Sequence, residues 1–205
     1  MENTPITKSL IKSLEKDSRS YIIECSVFIE ERASETIGKL LNIDDWKKSE
    51  TLGYGSSNIG FDNKIKLIQD IKGVDKSTRV KFQCFMAIRN KFAHISEVDS
   101  FKNYLIVIKS SKDRKNELKK WFPNLKWETD DIEEVFKFAY LCLALELNRE
   151  LSKIEIIHQA QVGTEKGMKI VYQKFINETK TILQELNNGN EILEKIIENV
   201  KKQNN

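Results

Sequence analysis

The chain of 205 residues is 40% hydrophobic and 32% charged, a balance that excludes a wholly disordered protein and fits a folded globular one. Its 8 glycines and 2 prolines are too few for the many tight turns of an all-β protein, so the composition predicts an all-α fold. The formal net charge is only +3, which by itself indicates no particular partner.

Cysteine spacing and hydropathy indicate the compartment. The three cysteines, Cys25, Cys84 and Cys142, are far apart and lie in apolar surroundings, so we expect reduced core side chains. The N-terminal stretch MENTPITKSLIKSLEKD is too polar for a signal peptide, and the longest apolar run, AYLCLAL, is too short to span a membrane. We therefore expect a cytoplasmic protein with no membrane association, no metal and no cofactor.

The first predicted element is a long helix that begins near Asp17. Apolar residues recur along it every three or four positions, as in a single buried stripe: Ile22, Cys25, Ile29, Ala33, Ile37 and Leu41. A loop rich in glycine and serine follows at residues 42–61. Residues 62–73 then form a short amphipathic helix, and Gly73 is its predicted C-terminal stop.

Another helix is predicted over residues 78–93, because apolar residues again recur at helical spacing. They are Phe85, Ile88, Phe92 and Ile95. Near the end of this helix, the sequence IRNKFAH at residues 88–94 places Asn90 and His94 four residues apart on one face, with Arg89 beside them. The apolar residues in between fix the orientation of this polar strip.

Such a strip suits the cleavage of an RNA phosphodiester without a metal ion. Arginine is a permanent planar donor for phosphate and histidine titrates near neutral pH, so the pair can bind a phosphate and move the proton of a 2′-hydroxyl. One histidine cannot remove a proton and deliver another at the same moment, so a symmetric dimer would complete the site. The alternative is that His94 is only a polar residue at the negative end of a helix and Arg89 an ordinary surface charge.

Positive charge is concentrated at residues 101–127, where seven lysines and one arginine outweigh one aspartate and one glutamate to give a local charge of +6. In one interpretation this basic segment binds RNA through phosphates and by base stacking. The residues predicted to do so are Lys112, Arg114, Lys115, Lys119, Lys120 and Trp121. In the other it is a solvated lysine-rich loop whose tryptophans are anchored in the core. The β-branched stretch YLIVIK within it is compatible with a short strand, so its structure stays open.

A further long helix is predicted from residue 131 to about residue 158, with Thr129 or Asp130 as its N-terminal cap. After a turn bracketed by Gly163 and Gly167, apolar stripes on either side of NNGN predict a helical hairpin. This hairpin either packs on the bundle or serves as a dimerisation or partner arm. The predicted domains are a helical bundle at 1–158, which carries the basic insertion 101–127, and the hairpin at 159–205.

The sequence IRNKFAH resembles the Arg-x4-6-His motif of the HEPN superfamily, in which a polar residue commonly follows the arginine. The matching residues are Arg89, Asn90 and His94. The order and spacing of the predicted helices over roughly residues 15–100 are similar to those of mannitol operon repressor (MltR)-like proteins, a HEPN-related group. The Asp-Arg pair of that group is split in this chain as DSR, from Asp17 to Arg19.

This resemblance implies an all-α bundle that dimerises around the motif. Many members are metal-independent endoribonucleases of toxin–antitoxin or phage-defence systems, and others are non-catalytic regulatory or RNA-binding domains. Two functions are therefore predicted: a dimeric endoribonuclease with Arg89, Asn90 and His94 as catalytic residues, or an MltR-like regulatory module that binds nucleic acid or protein. The implied partners are RNA, a second copy of the chain, and a cognate antitoxin or regulatory protein.

Overall fold

The computed structural model describes residues 16–128, 131–163 and 165–184, and this part of the chain is a helical bundle without β-strands. Its helices are α1 Ser18–Leu40, α2 Phe61–Lys72, α3 Lys76–His94, α4 Phe101–Val107, α5 Ser111–Trp121, α6 Ile132–Val162 and α7 Glu165–Gln184, with a 3-10 turn at Trp46–Lys48. The predicted all-α fold is confirmed. None of these helices, over the residues described, has the length and apolar composition needed to cross a bilayer.

The long helix predicted near Asp17 is α1, the central helix of the bundle. The carboxylate of Asp17 accepts the backbone N–H of Ser20 at 2.9 Å and so caps the helix. The apolar stripe is completely buried, with 0% exposure at Ile22, Cys25, Ile29, Ala33 and Ile37. Leu41 is instead 49% exposed, because α1 ends one residue earlier.

Two polar contacts show that α1 and α6 run parallel. Near the start of α1, Ser18 donates to Glu133 at 2.7 Å, and near its end Thr36 donates to Glu155 at 2.6 Å. Residue numbers therefore rise together along both helices. The shorter α2 packs on another side of α1 and ends at Gly73, the predicted stop, whose positive φ of 71° favours glycine.

The helix predicted over residues 78–93 is confirmed by α3, which lies antiparallel to α6. Lys81 donates to Glu146 at 2.6 Å, while the ring of Phe85 stacks on Tyr140 with centroids 4.5 Å apart. Residue numbers rise on α3 as they fall on α6. The second half of α3, which carries the motif, therefore lies toward the N-terminal end of α6.

The basic segment is helical, and YLIVIK belongs to a helix and its end instead of a strand. Phe101 and Tyr104, three residues apart, are 0% and 1% exposed, while Ile106 is 81% exposed, which is the pattern of a helical turn on a core. Packing of this turn outweighs the β propensity of its residues. Trp127 is anchored in the core as one interpretation predicted, since it is 3% exposed and its indole N–H donates to the carbonyl of Phe122.

The C-terminal part differs from the prediction in detail. The N-terminal cap of α6 is Asp131, whose carboxylate accepts the backbone N–H of Glu134, while Thr129 and Asp130, the predicted caps, lie outside the described residues. The helix continues past residue 158, so the predicted domain boundary falls inside it. Gly167 lies within α7 and takes no part in the turn, and α7 packs back on α6. The NNGN sequence and the second arm of the predicted hairpin lie outside the described residues.

Candidate functional site

The C-terminal half of α3 presents a polar strip to solvent. Ile88 and Phe92 are 0% exposed and pack in the core, so the opposite face of this part of α3 points outward. Asn90 and His94 are exposed, and Arg89 is half-buried. The three predicted site residues thus lie on one stretch of a single helix.

Arg89 does not share a face of α3 with His94. A hydrogen bond to Asn90 connects it to the polar strip. Five residues turn an α-helix by about 500°, so the two side chains leave α3 about 140° apart. Nη1 of Arg89 donates to Oδ1 of Asn90 at 3.1 Å. Within one chain, Arg89 and His94 therefore flank Asn90 from opposite sides.

The end of the motif helix is held by Arg19, for which the sequence predicted no contact. His94 is the last residue of α3. Nη2 of Arg19 donates to three carbonyl oxygens that follow it: Ile95 at 2.9 Å, Ser96 at 2.7 Å and Val98 at 2.8 Å. Carbonyl groups at a helix C-terminus are partly negative and lack partners within the helix, so a guanidinium is a suitable cap. No local pattern reveals this contact, because the partners lie 76 to 79 residues along the chain.

Three other helices meet at the same end of the bundle. The hydroxyl of Ser18 donates to one carboxylate oxygen of Glu133 at 2.7 Å, and the other oxygen accepts the backbone N–H of Lys102 at 3.0 Å. These contacts join the N-termini of α1, α4 and α6. Helix N-termini carry partial positive charge, which suits the carboxylate at their centre. The motif therefore lies beside a firmly connected end of the fold.

The residues predicted to bind nucleic acid fall into two sets on α5. The first set reaches solvent: Lys112, Lys119 and Lys120 are exposed, and Lys115 is half-buried. In the second, Arg114 donates to Glu117 at 2.6 Å and lies close enough to the buried thiol of Cys84 to act on its pKa. Trp121 is half-buried, and the ammonium of Lys81 lies 5.9 Å from its ring centroid. Arg114 and Trp121 are therefore engaged within the bundle.

Cysteine chemistry is excluded by burial. The core location predicted for Cys25 and Cys84 is confirmed, and Cys142 is partly buried. Burial raises the pKa of all three thiols to about 12, so they stay protonated at neutral pH and are poor nucleophiles. Among the residues that the structure describes, no three His, Cys, Asp or Glu side chains are grouped so as to hold a metal ion.

A cleft of about 420 Å³ lies toward the other end of α1 and does not include the motif. It is lined by Phe28, Glu31, Arg32, Glu35, Lys39 and residues 43–47. Two of the basic groups there are already paired, since Arg32 and Lys39 lie 2.9 and 2.7 Å from the carboxylate of Glu155. The motif is thus separate from this cleft, on an open face of the bundle.

Comparisons with known proteins give no match. No protein-family model, no curated protein and no solved structure matches the chain. The resemblance to the HEPN superfamily therefore stays a prediction from the sequence, and a functional assignment depends on the geometry of the site.

Proposed function

We propose that the chain is a HEPN-type, metal-independent endoribonuclease that acts as a homodimer, with Arg89, Asn90 and His94 as its site. The observation that supports this is the outward orientation of the motif: Asn90 and His94 are exposed, and Arg89 donates to Asn90 at 3.1 Å. Exposed polar side chains contribute little to the stability of a bundle, so this group is available to a ligand. In this proposal the protein is a toxin or a phage-defence component that has RNA as substrate and is held in check by a cognate antitoxin.

Cleavage would proceed by attack of a ribose 2′-hydroxyl on the adjacent phosphorus. His94 of one chain takes the 2′-hydroxyl proton as the new bond to phosphorus forms and the bond to the 5′-oxygen breaks. His94 of the second copy, in its protonated form, gives its proton to the departing 5′-oxygen. Arg89 stabilises the negative charge that develops on the phosphate, and Asn90 orients Arg89. The product is a 2′,3′-cyclic phosphate.

A second copy of the chain supplies the second imidazole that one chain lacks. A single imidazole cannot act as base and acid in the same step, and the motif contains one histidine. Because Arg89 and His94 diverge by about 140° around α3, a two-fold axis beside Asn90 lets the arginine of one chain face the histidine of the other. The small, exposed side chain of Ala93 permits a close approach of the two helices.

Cleavage of total RNA by the purified protein in excess chelator tests the proposal. We expect products with 2′,3′-cyclic phosphate ends. His94→Ala should lower the rate by about 10²- to 10⁴-fold, the usual contribution of general acid–base catalysis. Arg89→Ala should lower it by about 10²-fold or more, because an aligned donor to the developing charge is removed. Arg79→Ala removes an exposed arginine elsewhere on α3 and is the matched control, with an unchanged rate.

Mixed dimers examine the pairing directly. When wild-type and His94→Ala chains are combined, the hybrid dimers should be inactive. The activity per wild-type chain should therefore be lower in the mixture than in the unmixed wild-type protein. A stable monomer that cuts RNA equally well without His94 contradicts the proposal. A dimer paired at the motif that cuts no RNA favours the MltR-like regulatory module, in which the same residues bind a phosphate without breaking its ester.

A further inference from the structure

The solvent face of α5 is a row of lysines. Ser111 and Leu118 are 1% and 0% exposed and turn the opposite face of the helix into the bundle. The lysine row consists of Lys112, Lys119 and Lys120, which are exposed, and Lys115, which is half-buried. Lys112 and Lys119 are seven residues apart, so they lie nearly in line and roughly 10 Å from each other along the helix axis. No large apolar or aromatic residue is exposed among them.

Nearby carboxylates leave this row with a surplus of positive charge. Glu117 pairs with Arg114 at 2.6 Å, so it neutralises an arginine outside the row. Glu128 lies 2.7 Å from Lys119, but its side chain is 84% exposed, and exposed pairs contribute only about 0–1 kcal/mol. A phosphate can therefore replace Glu128 at little cost. Asp113 is the one other acidic residue of α5.

The neighbouring tryptophans are withdrawn from solvent. Trp127 is 3% exposed, and its indole N–H is satisfied by the carbonyl of Phe122 at 2.9 Å. Trp121 is half-buried and already carries the ammonium of Lys81 on its ring. Proteins that hold single strands by stacking present open aromatic faces to the bases. Neither tryptophan presents such a face.

We infer that the lysine row binds the phosphate backbone of a nucleic acid and does so without regard to base. Lysine ammonium groups meet phosphates as point charges, and contacts to the backbone carry no sequence information. This surface differs from the sequence-based prediction because it leaves out Arg114 and Trp121. It also goes beyond the proposed cleavage, since it concerns how a strand is held and stands whether or not His94 is catalytic.

A soluble polyanion fits the lysine row better than a lipid surface does. Helices that lie on membranes insert an apolar face between lipids. The apolar side of α5, with Leu118 and Trp121, is packed against the core of the bundle and is not free to insert. Ile106 is strongly exposed, but it belongs to α4, outside the row. Binding to anionic vesicles is therefore the competing outcome.

The test measures binding of labelled oligonucleotides to the His94→Ala protein, so that cleavage does not interfere. Oligo(A), oligo(U), oligo(C) and an abasic strand of the same length should bind with affinities within about threefold of each other, because only phosphates are bound. Replacing all four lysines of the row by glutamine should weaken binding at least tenfold. It should also reduce the slope of log affinity against log salt by about 2–3, since each phosphate neutralised on a single strand adds about 0.7 to that slope.

A charge-matched control distinguishes binding by the lysine row from a general effect of net charge on affinity. Replacing four exposed lysines elsewhere, Lys47, Lys48, Lys66 and Lys174, by glutamine removes the same charge and should leave affinity within about threefold. Trp121→Phe should also leave it unchanged. An equal loss of affinity in both four-lysine variants overturns the inference, as does a tenfold preference for one base over the abasic strand. Binding to anionic vesicles that depends on the row, without binding to any oligonucleotide, overturns it in favour of a lipid surface.

Discussion

Arg19 holds three carbonyl groups in the turn after His94, those of Ile95, Ser96 and Val98, and its hydrogen-bond lengths of 2.7 to 2.9 Å make it a strong cap for α3. A histidine at the end of a helix is mobile when that end frays. By fixing the chain after His94, Arg19 limits the orientations that the imidazole can adopt. It is therefore a positioning residue for the proposed site.

Replacing Arg19 by glutamine should lower the free energy of unfolding by about 2 kcal/mol, because hydrogen bonds from a charged donor are removed. Hydrogen exchange should become faster at residues 96–98, and RNA cleavage should fall through kcat more than through KM. Arg19→Lys should keep part of each property, since a single nitrogen makes all three bonds. Wild-type exchange rates in Arg19→Gln would exclude the positioning role.

The stability that the N-terminal cap of α3 contributes depends on pH, because the cap is the carboxylate of Asp75. Its carboxylate accepts the hydroxyl of Ser77 at 2.6 Å and that of Thr78 at 2.5 Å, as well as the backbone N–H groups of both residues. These bonds to the ionised form hold the pKa of Asp75 well below its ordinary value of 3.8. Because the folded pKa is the lower one, this stabilisation is present above about pH 4 and disappears as pH falls toward the folded pKa.

Asp75→Ala should therefore cost about 1 kcal/mol at pH 7, the usual effect of removing an N-terminal cap. The difference from wild type should shrink below about pH 4, where the unfolded wild-type chain takes up a proton at Asp75 that the folded protein binds only at lower pH. Asp75→Asn keeps a capping side chain but does not titrate, so it should remain close to wild type at pH 7. Urea unfolding between pH 7 and pH 2 measures this, and a difference for Asp75→Ala that is constant with pH would contradict it.

The bundle as a whole is held together by the packing of α1 on α6, and Glu155 is the main polar contact far from the motif. Its side chain is 4% exposed and accepts Arg32 at 2.9 Å, Lys39 at 2.7 Å and Thr36 at 2.6 Å. Removal of one partner from a buried ion pair leaves the other charge without compensation. The Glu155 ion pairs and the chemistry proposed for α3 thus lie toward opposite ends of α1.

Glu155→Ala should lower the free energy of unfolding by about 3 kcal/mol, in the range for breaking a buried ion pair. RNA cleavage per folded molecule should remain near wild type, because the proposed site is at the other end of the bundle. Glu128→Ala is the control: it removes an exposed pair and should cost less than about 1 kcal/mol. Denaturation curves and cleavage assays below the unfolding temperature check both expectations, and a loss of cleavage in folded Glu155→Ala protein would contradict them.

The helices themselves were predictable from the sequence, because an apolar residue at every third or fourth position buries one face of a helix whatever packs against it. That local rule placed Ile88 and Phe92 in the core and Asn90 and His94 at the surface, and both are as predicted. For YLIVIK the sequence left the choice between helix and strand open, and packing of Phe101 on Phe92, with ring centroids 4.9 Å apart, favours the helix.

Tertiary structure alone decided which basic side chains lie against the core. Arg114 and Lys119 occur in the same basic segment, yet Arg114 lies close to the buried thiol of Cys84 on α3, while Lys119 is exposed and pairs with the exposed Glu128. Arg19 likewise holds the turn after α3, where its carbonyl partners lie 76 to 79 residues away along the chain. The periodicity of a sequence fixes the direction of a side chain relative to its own helix. The identity of its partner depends on how distant helices pack, and no local pattern records that.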